Sequence, residues 1–357
     1  MYNALFPLKV KTVRRETAEC VSVSLAVPET QKDQFSFEAG QYLGLEAKID
    51  GEVVRRSYSI CSSPQSGELT VAIKKVTDGK FSSFANEQLA EGDVLQVMPP
   101  RGGFIIKKEL KEKEAAQFVF FASGSGITPV LSMIHDVLDT NPTANLIVFY
   151  GNRNTDQIIF REEIENLKNI HLNRLSVHYI LSKEHPGSEA FFGRINADKC
   201  KLYAKYFFDP KSVEGFYLCG PGEMIFEIKD TLAELGVPAE KVHFELFTTA
   251  GMPKPKAKII EVPKDACSVK IKLNDVLLDF SLEDRGKNLL DAALEQGADL
   301  PYACKGGVCS TCKAKVLDGK VEMQINYALE PDELAAGYVL SCQAIATSDR
   351  VFLDFDV

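Results

Sequence analysis

The chain has 357 residues, 25% charged and 45% hydrophobic, with a net charge of −9. The length exceeds one ordinary core and predicts two or three domains, and the composition is normal for a soluble globular protein. No apolar run approaches the ~20 residues of a membrane span, and no basic footprint marks a nucleic-acid binder. The opening Met1-Tyr2-Asn3-Ala4-Leu5-Phe6-Pro7 lacks the basic head and long apolar stretch of a secretory signal, so a cytoplasmic location is expected. In that compartment nine cysteines favour metal or reduced thiols over disulfides.

Residues 9–100 read as short strands with turn punctuation. Cys20 to Val27 alternates polar and apolar, Gly40 to Ala47 begins another strand, and Asp50-Gly51 marks a hairpin turn. Leu69 to Val76 and Val94 to Val97 continue the pattern, which predicts a small antiparallel barrel. Inside it lies Arg55-Arg56-Ser57-Tyr58-Ser59-Ile60, and a guanidinium, an aromatic ring and hydroxyls so grouped suit a phosphate and a flat ring. The stretch resembles the R-x-Y-S motif of the ferredoxin–NADP reductase superfamily. The resemblance implies that Arg56 meets an FAD pyrophosphate, with Ser57 beside it. It also implies that Tyr58 lies against the isoalloxazine and that Ser59 hydrogen-bonds near flavin N5, so Tyr58 and Ser59 are the catalytic candidates. Gly79-Lys80-Phe81-Ser82-Ser83 precedes a helical Phe84 to Leu89. Gly79 with Ser82 or Ser83 resembles the superfamily's G-x-x-S pyrophosphate element, and either serine serves equally as a helix cap. By the same resemblance, the backbone from Ile73 through Lys75 to Val76 meets the flavin edge.

Pro99-Pro100-Arg101-Gly102-Gly103 reads as a hinge, after which the periodicity changes. Gln117 to Ala122 is a continuous apolar strand, as in a parallel sheet covered on both faces. Helix-like Val130 to Leu138 and Glu162 to Lys168 alternate with strand-like Leu146 to Tyr150 and Val177 to Leu181. Phe216 to Cys219 and a helix from Glu223 to Leu235 complete an α/β pattern. The turn Ser123-Gly124-Ser125-Gly126-Ile127-Thr128-Pro129 has Pro129 where a Rossmann loop has its third glycine. Between strand and helix its N–H groups can still bind a pyrophosphate, and Thr128 with Pro129 suits a helix start. Gly124, Gly126, Thr128 and Pro129 resemble the superfamily's G-x-G-x-x-P loop. Cys219-Gly220-Pro221 resembles its C-G-P at the nicotinamide end, although a core cysteine before a Gly-Pro turn reads the same way. Arg153 and the pair Ser182-Lys183 are candidates for a 2′-phosphate, Lys183 standing where NADP-type relatives carry arginine. They favour NADPH over NADH, with a solvated surface as the other reading of Lys183. His243-Phe244-Glu245-Leu246-Phe247 resembles the closing E-x-F strand of such reductases, in which Phe247 either reaches the flavin or fills the core.

Thr248 to Lys256 is rich in proline and lysine and reads as a linker. Val269 to Leu273, Asn274-Asp275 and Val276 to Phe280 form a predicted hairpin, and Asn288 to Gln296 a short helix. Cys304-Lys305-Gly306-Gly307-Val308-Cys309-Ser310-Thr311-Cys312 then sets three thiols at C-x4-C-x2-C spacing, with Cys342 after 29 intervening residues. Plant-type ferredoxins hold a 2Fe–2S cluster at this spacing, whereas zinc ribbons pair two C-x2-C knuckles. Small residues in the loop let backbone N–H groups point at the sulfurs. From Asp265 to Val357 there are 9 Lys/Arg against 16 Asp/Glu, a net of −7, which leaves −2 for the rest. An acidic electron carrier is drawn to a basic partner; a merely solvated surface is the other reading.

The whole chain resembles phthalate-dioxygenase-reductase-like proteins with a C-terminal ferredoxin domain, densest from Leu290 to Cys312 and in Asn326 to Cys342. The domains are therefore expected to be an antiparallel β-barrel FAD domain over 1–106 and an α/β NAD(P) domain over 107–248. A linker over 249–264 and an α+β, β-grasp ferredoxin domain over 265–357 complete the expectation. The Leu329 to Cys342 segment draws the chain toward reductases serving a di-iron oxygenase that epoxidises phenylacetyl-CoA. The resemblance implies electron flow from NADPH or NADH through FAD, which takes a hydride pair and releases single electrons, to the cluster and then to that oxygenase. A reductase for another mono- or dioxygenase, or an electron carrier without catalysis, are the rival readings.

Overall fold

The computed structural model describes residues 5–247, 260, 262–263, 265–329 and 331–356. The expected linker therefore lies almost wholly outside the described residues. The first domain is a six-stranded antiparallel sheet of β1 (Phe6–Thr17), β2 (Cys20–Ala26), β3 (Tyr42–Ile49), β4 (Glu52–Ser59), β5 (Leu69–Lys74) and β6 (Val94–Arg101), with helix α1 (Lys80–Glu87). Its order is β4-β3-β6-β1-β2-β5, and an Ile60–Val71 bridge joins the two ends into the expected barrel. Asp50 and Gly51 both have positive φ, the geometry of the two-residue hairpin turn that their sequence predicts. Leu8, Val23, Leu43, Leu45, Ile60, Val71 and Val97 fill the barrel. Pro99 and Pro100, read as a hinge, lie inside β6, where Arg101 pairs with Tyr42.

The second domain holds a five-stranded parallel sheet in the order β11-β10-β7-β8-β9. A short α2 (Lys108–Lys111) leads to β7 (Gln117–Ser123), α3 (Ile127–Thr140), β8 (Asn145–Asn152), α4 (Arg161–Ile170) and β9 (Leu175–Leu181). Then come α5 (Ala197–Tyr206), β10 (Gly215–Gly220), α6 (Gly222–Glu234) and β11 (Val242–Leu246). Helix α3 is apolar nearly all round because it is covered twice, by its own sheet and by the barrel. Ser132 donates to the Ser62 carbonyl at 2.7 Å and Gln65 to Asp136 at 2.7 Å, so the barrel and the sheet share one seam. Those contacts fix which barrel residues face the ends of the parallel strands.

The third domain is a mixed sheet, β13-β12-β16-β14-β15. It comprises β12 (Cys267–Leu273), β13 (Val276–Leu282), α7 (Leu289–Glu295), β14 (Lys313–Met323), α8 (Pro331–Ala335), β15 (Tyr338–Leu340) and β16 (Ala344–Asp354). Asn274 and Asp275 again both take positive φ in the hairpin turn. Asn288 caps α7 by accepting from the Asp291 N–H at 2.8 Å. The cysteine loop is pressed against both other domains. Arg55 donates to Asp299 at 3.0 Å and to the Leu300 carbonyl at 3.4 Å, while Val308, Cys304 and Tyr327 pack on the Met224, Phe226 and Phe244 side of the second domain.

Candidate active site

Two cavities meet at Phe247. The larger, about 810 Å³, opens at the ends of the parallel strands and is lined by Ser123 to Gly126, Gly151 to Arg153, Ser182, Lys183, Arg194, Gly220, Pro221 and Phe247. Both glycines of the loop have a physical reason. Gly124 sits at φ +55, and a Cβ on Gly126 would come 2.1 Å from the Cys219 carbonyl oxygen. The G-x-G and C-G-P motifs are thus two sides of one backbone contact. Thr128 is buried and donates to the Ser125 carbonyl at 3.0 Å, bracing the loop from below. Pro129 is buried in the first turn of α3, and Cys219 is fully buried, with its thiol pushed well up by burial. These three support the cavity rather than line it. Arg153, Ser182, Lys183 and Arg194 all line this cavity, and Arg194 is a cation that stands in no sequence motif. Gly126→Ala is expected to force the loop away from β10 and weaken nicotinamide-nucleotide binding at least about tenfold, the cost of displacing a close backbone contact. Isothermal titration with the oxidised nucleotide checks it.

The second cavity, about 520 Å³, is lined by Tyr42, Arg56, Ser57, Ser59, Glu245, Leu246 and Phe247 on one side and by Tyr302 to Gly306, Val308 and Cys309 on the other. Strand β4 explains the split, because alternate side chains point to opposite faces. Ser57 and Ser59 line the cavity. Tyr58 instead packs toward α1, 5.5 Å from the Phe81 ring. Arg56 is exposed at the cavity edge and donates to the Arg55 carbonyl at 2.6 Å. Ser59 donates to Glu245 Oε2 at 3.2 Å, and burial pushes the Glu245 carboxyl up to about 8. Among the described residues Glu245 is the one acid lining this cavity. Ser82 does not cap α1 and lines neither of the two cavities: it donates to the Gly79 carbonyl and accepts from the Val76 N–H at 3.2 Å. A Cβ on Gly79 would lie 2.4 Å from Ser82 Oγ, which accounts for that glycine. Ser83 is half-buried on the same turn. Ile73 lies in the barrel core with its carbonyl taken by Asn86, and the Lys75 N–H bonds the Glu19 carbonyl, so neither lines a cavity; their neighbour Lys74 lines the larger one.

The four cysteines of the spacing motif gather in two pairs. Cys304 Sγ and Cys309 Sγ are 3.1 Å apart, and Cys312 and Cys342 make a second sulfur contact. In each pair one sulfur is pulled toward thiolate by the other. Cys304 falls to about 5, helped by the Gly306, Val308 and Cys309 N–H groups, while Cys309 rises. Two thiols for each of two irons, inside a shell of backbone N–H donors, is the donor set that a 2Fe–2S cluster needs. The second cavity likewise suits a flat ring with polar edges, and the first suits an anionic dinucleotide.

A cavity that suits a nucleotide, a second that suits a flat ring and a cluster loop together point to a flavin- and iron–sulfur-dependent oxidoreductase. Residues 7–106 match an oxidoreductase FAD-binding domain, 120–230 an oxidoreductase NAD-binding domain and 266–347 a 2Fe-2S iron-sulfur cluster binding domain. The chain belongs to the family of three-domain reductase components in which one member is the E component of 1,2-phenylacetyl-CoA epoxidase. To that protein of Escherichia coli it is 40% identical, over 98% of this chain and 97% of the other. To the ferredoxin reductase component of 3-ketosteroid-9-alpha-monooxygenase of Rhodococcus rhodochrous it is 34% identical, over 98% and 96%. The solved structure of phthalate dioxygenase reductase shares the fold with a TM-score of 0.59 at 22% identity, covering 98% of both chains. The cofactors are accordingly FAD, a nicotinamide nucleotide and a 2Fe–2S cluster. No helix among the described residues is long and apolar enough to cross a membrane.

Proposed function

We propose that this chain takes a hydride from NADPH and passes single electrons to the di-iron oxygenase that epoxidises phenylacetyl-CoA. One observation carries the reading: Cys304 and Cys309 form a wall of the same cavity as Ser57, Ser59 and Glu245, and Phe247 joins that cavity to the nucleotide cavity. The residues assigned to donor, ring and cluster thus line two cavities that share Phe247. The resident flavin supplies the exchange between a two-electron donor and a one-electron acceptor. The chain's own residues do the rest. Gly124 and Gly126 offer N–H groups to a pyrophosphate, and Arg153, Ser182, Lys183 and Arg194 offer donors to a 2′-phosphate. Arg56 is assigned to the FAD pyrophosphate, its side chain being free of any acidic partner among the described residues. Ser59 and Glu245 would hold a proton between them, 3.2 Å apart, at the edge of the cavity assigned to the flavin. Tyr58 buttresses the motif strand through Phe81. The net charge of −7 on the cluster domain supports docking on a basic oxygenase surface.

Arg56→Ala is expected to weaken FAD retention by ~1.5–3 kcal/mol, the worth of one charge-assisted hydrogen bond. Iron content should stay normal, and full flavin occupancy at micromolar protein would count against the assignment. The reading as a whole is tested by anaerobic titration with NADPH and with NADH while flavin and cluster absorbances are followed separately, and then by coupled turnover with purified oxygenases. NADPH should reduce both centres at lower concentration than NADH. Turnover should appear with the phenylacetyl-CoA di-iron oxygenase and fade between 0.1 M and 1 M salt, as the Debye length shrinks from ~10 Å to ~3 Å. Equal use of NADH, or turnover only with a different oxygenase, would replace the corresponding half of the proposal.

A further inference from the structure

We infer that Tyr42 is a positioning residue for electron transfer: its hydroxyl, with that of Ser57, holds the cluster loop at its working place over the flavin cavity. The inference rests on the proposed function and adds a residue which that reading does not use. Tyr42 belongs to the barrel, yet its hydroxyl lies 3.1 Å from Ser310 Oγ and 3.2 Å from Thr311 Oγ1. These are the two residues between Cys309 and Cys312. Thr311 Oγ1 also lies 3.5 Å from Ser57 Oγ, and its carbonyl accepts from Arg101 Nη1 at 3.4 Å. Three barrel residues on three strands therefore grip one turn of a loop about 250 positions away in sequence.

The tyrosine ring is held from behind. It is 4% exposed, and a Cβ on Gly102 would come 3.0 Å from it, at a φ of +117 that itself calls for glycine. A clamped ring turns its hydroxyl into a fixed point. Four hydroxyls in a row, Ser57, Thr311, Tyr42 and Ser310, then satisfy one another beside the cavity that Tyr42 and Ser57 line. Such hydrogen bonds exchange for bonds to water when domains part, so their net contribution to docking is modest. What they add is direction, since hydroxyl geometry admits few loop orientations. Ring and loop also line the same cavity, so a shift of the loop changes the gap the electron crosses. Tyr42 itself carries no electron. In each transfer one electron is lost from the flavin and one gained by the cluster, and no bond to Tyr42 forms or breaks.

The test is Tyr42→Phe in the holoenzyme, which keeps the ring and removes the hydroxyl. The first readout is hydrogen–deuterium exchange of residues 304–312 in the oxidised protein, before any turnover. The second is the ratio of cluster bleaching to flavin bleaching in anaerobic stopped flow. Exchange should quicken and the ratio should fall, each about fivefold, the order expected for one net hydrogen bond, with iron content unchanged. Unchanged exchange together with an unchanged ratio would overturn the inference. So would lost iron, because Tyr42 would then support cluster assembly instead. If Tyr42→Phe does not fold, Ser310→Ala removes the far end of one bond and should move both readouts the same way; no movement overturns the inference. If the unaltered protein shows no flavin-to-cluster transfer, the proposed function falls, and the exchange readout still decides the role of Tyr42.

Discussion

Cys342→Ser should leave a yellow protein without its iron. A serine oxygen is a harder and less readily ionised ligand than a thiolate, and a cluster held by four cysteines does not tolerate losing one from a two-thiol iron. Iron is expected to fall below about a tenth of the normal content, since binding and loop order are coupled. The flavin should remain bound and reducible by NADPH. The choice of residue matters. Cys304 and Cys309 line the cavity proposed for the flavin, so their loss would confound the two centres, whereas Cys342 is 4% exposed and touches neither cavity. Its neighbours keep their roles: Gln343 still donates to the Lys305 carbonyl at 3.1 Å, and Ser341 to the Cys312 carbonyl at 3.0 Å. Iron analysis and the visible spectrum decide the matter. Full iron content with an unaltered spectrum would remove Cys342 from the ligand set.

What could be read from residue order was what local chemistry encodes. The thiol spacing, the Asp50-Gly51 and Asn274-Asp275 turns and the apolar run before Gly124 each dictate structure within a few residues. The serine of the G-x-x-S stretch shows the limit of such reading. The stretch reads equally as a pyrophosphate ligand and as a helix cap, and in the structure Ser82 Oγ also closes the turn from Val76 to Gly79. Helix α5 carried too weak an apolar stripe to stand out beside its lysines and tyrosines. Tyr42, Arg55, Arg194 and Glu245 were harder still. Each acquires its surroundings from residues brought together only by domain packing: Arg55 reaches Asp299, and Ser59 reaches Glu245 across 186 positions. No spacing rule spans that distance. Glu245 was in view inside the E-x-F strand, yet its chemistry comes from burial, which the strand pattern does not state.

That burial leads to the second large effect, a pH profile for flavin reduction. Glu245 has its carboxyl raised from an ordinary 4.5 to about 8 by desolvation, partly opposed by the Ser59 hydrogen bond. Below about pH 8 the acid is neutral and can donate to Ser59 Oγ, which leaves the Ser59 O–H free to point into the cavity. Above it the carboxylate takes the Ser59 proton as its own hydrogen bond, in the geometry seen at 3.2 Å. On the proposed assignment, a hydroxyl that faces the ring favours hydride arrival there, and one that faces Glu245 does not. The rate of flavin reduction should therefore fall as pH rises through about 8, by roughly tenfold, the worth of one hydrogen bond to the ring. Glu245→Gln keeps a donor at every pH, so its profile should be flat near the low-pH rate. Stability changes in the matching sense. The folded state holds the proton more tightly than the unfolded chain, so the native protein should lose stability relative to Glu245→Gln between about 4.5 and about 8, and no further above that. Rapid-mixing flavin reduction and thermal unfolding, each from pH 5 to 10, measure the two together. A Gln variant that keeps the native decline above pH 8 would place the titrating group elsewhere. One that is flat in rate but unchanged in stability would mean that the carboxyl is raised only once the ring is in place.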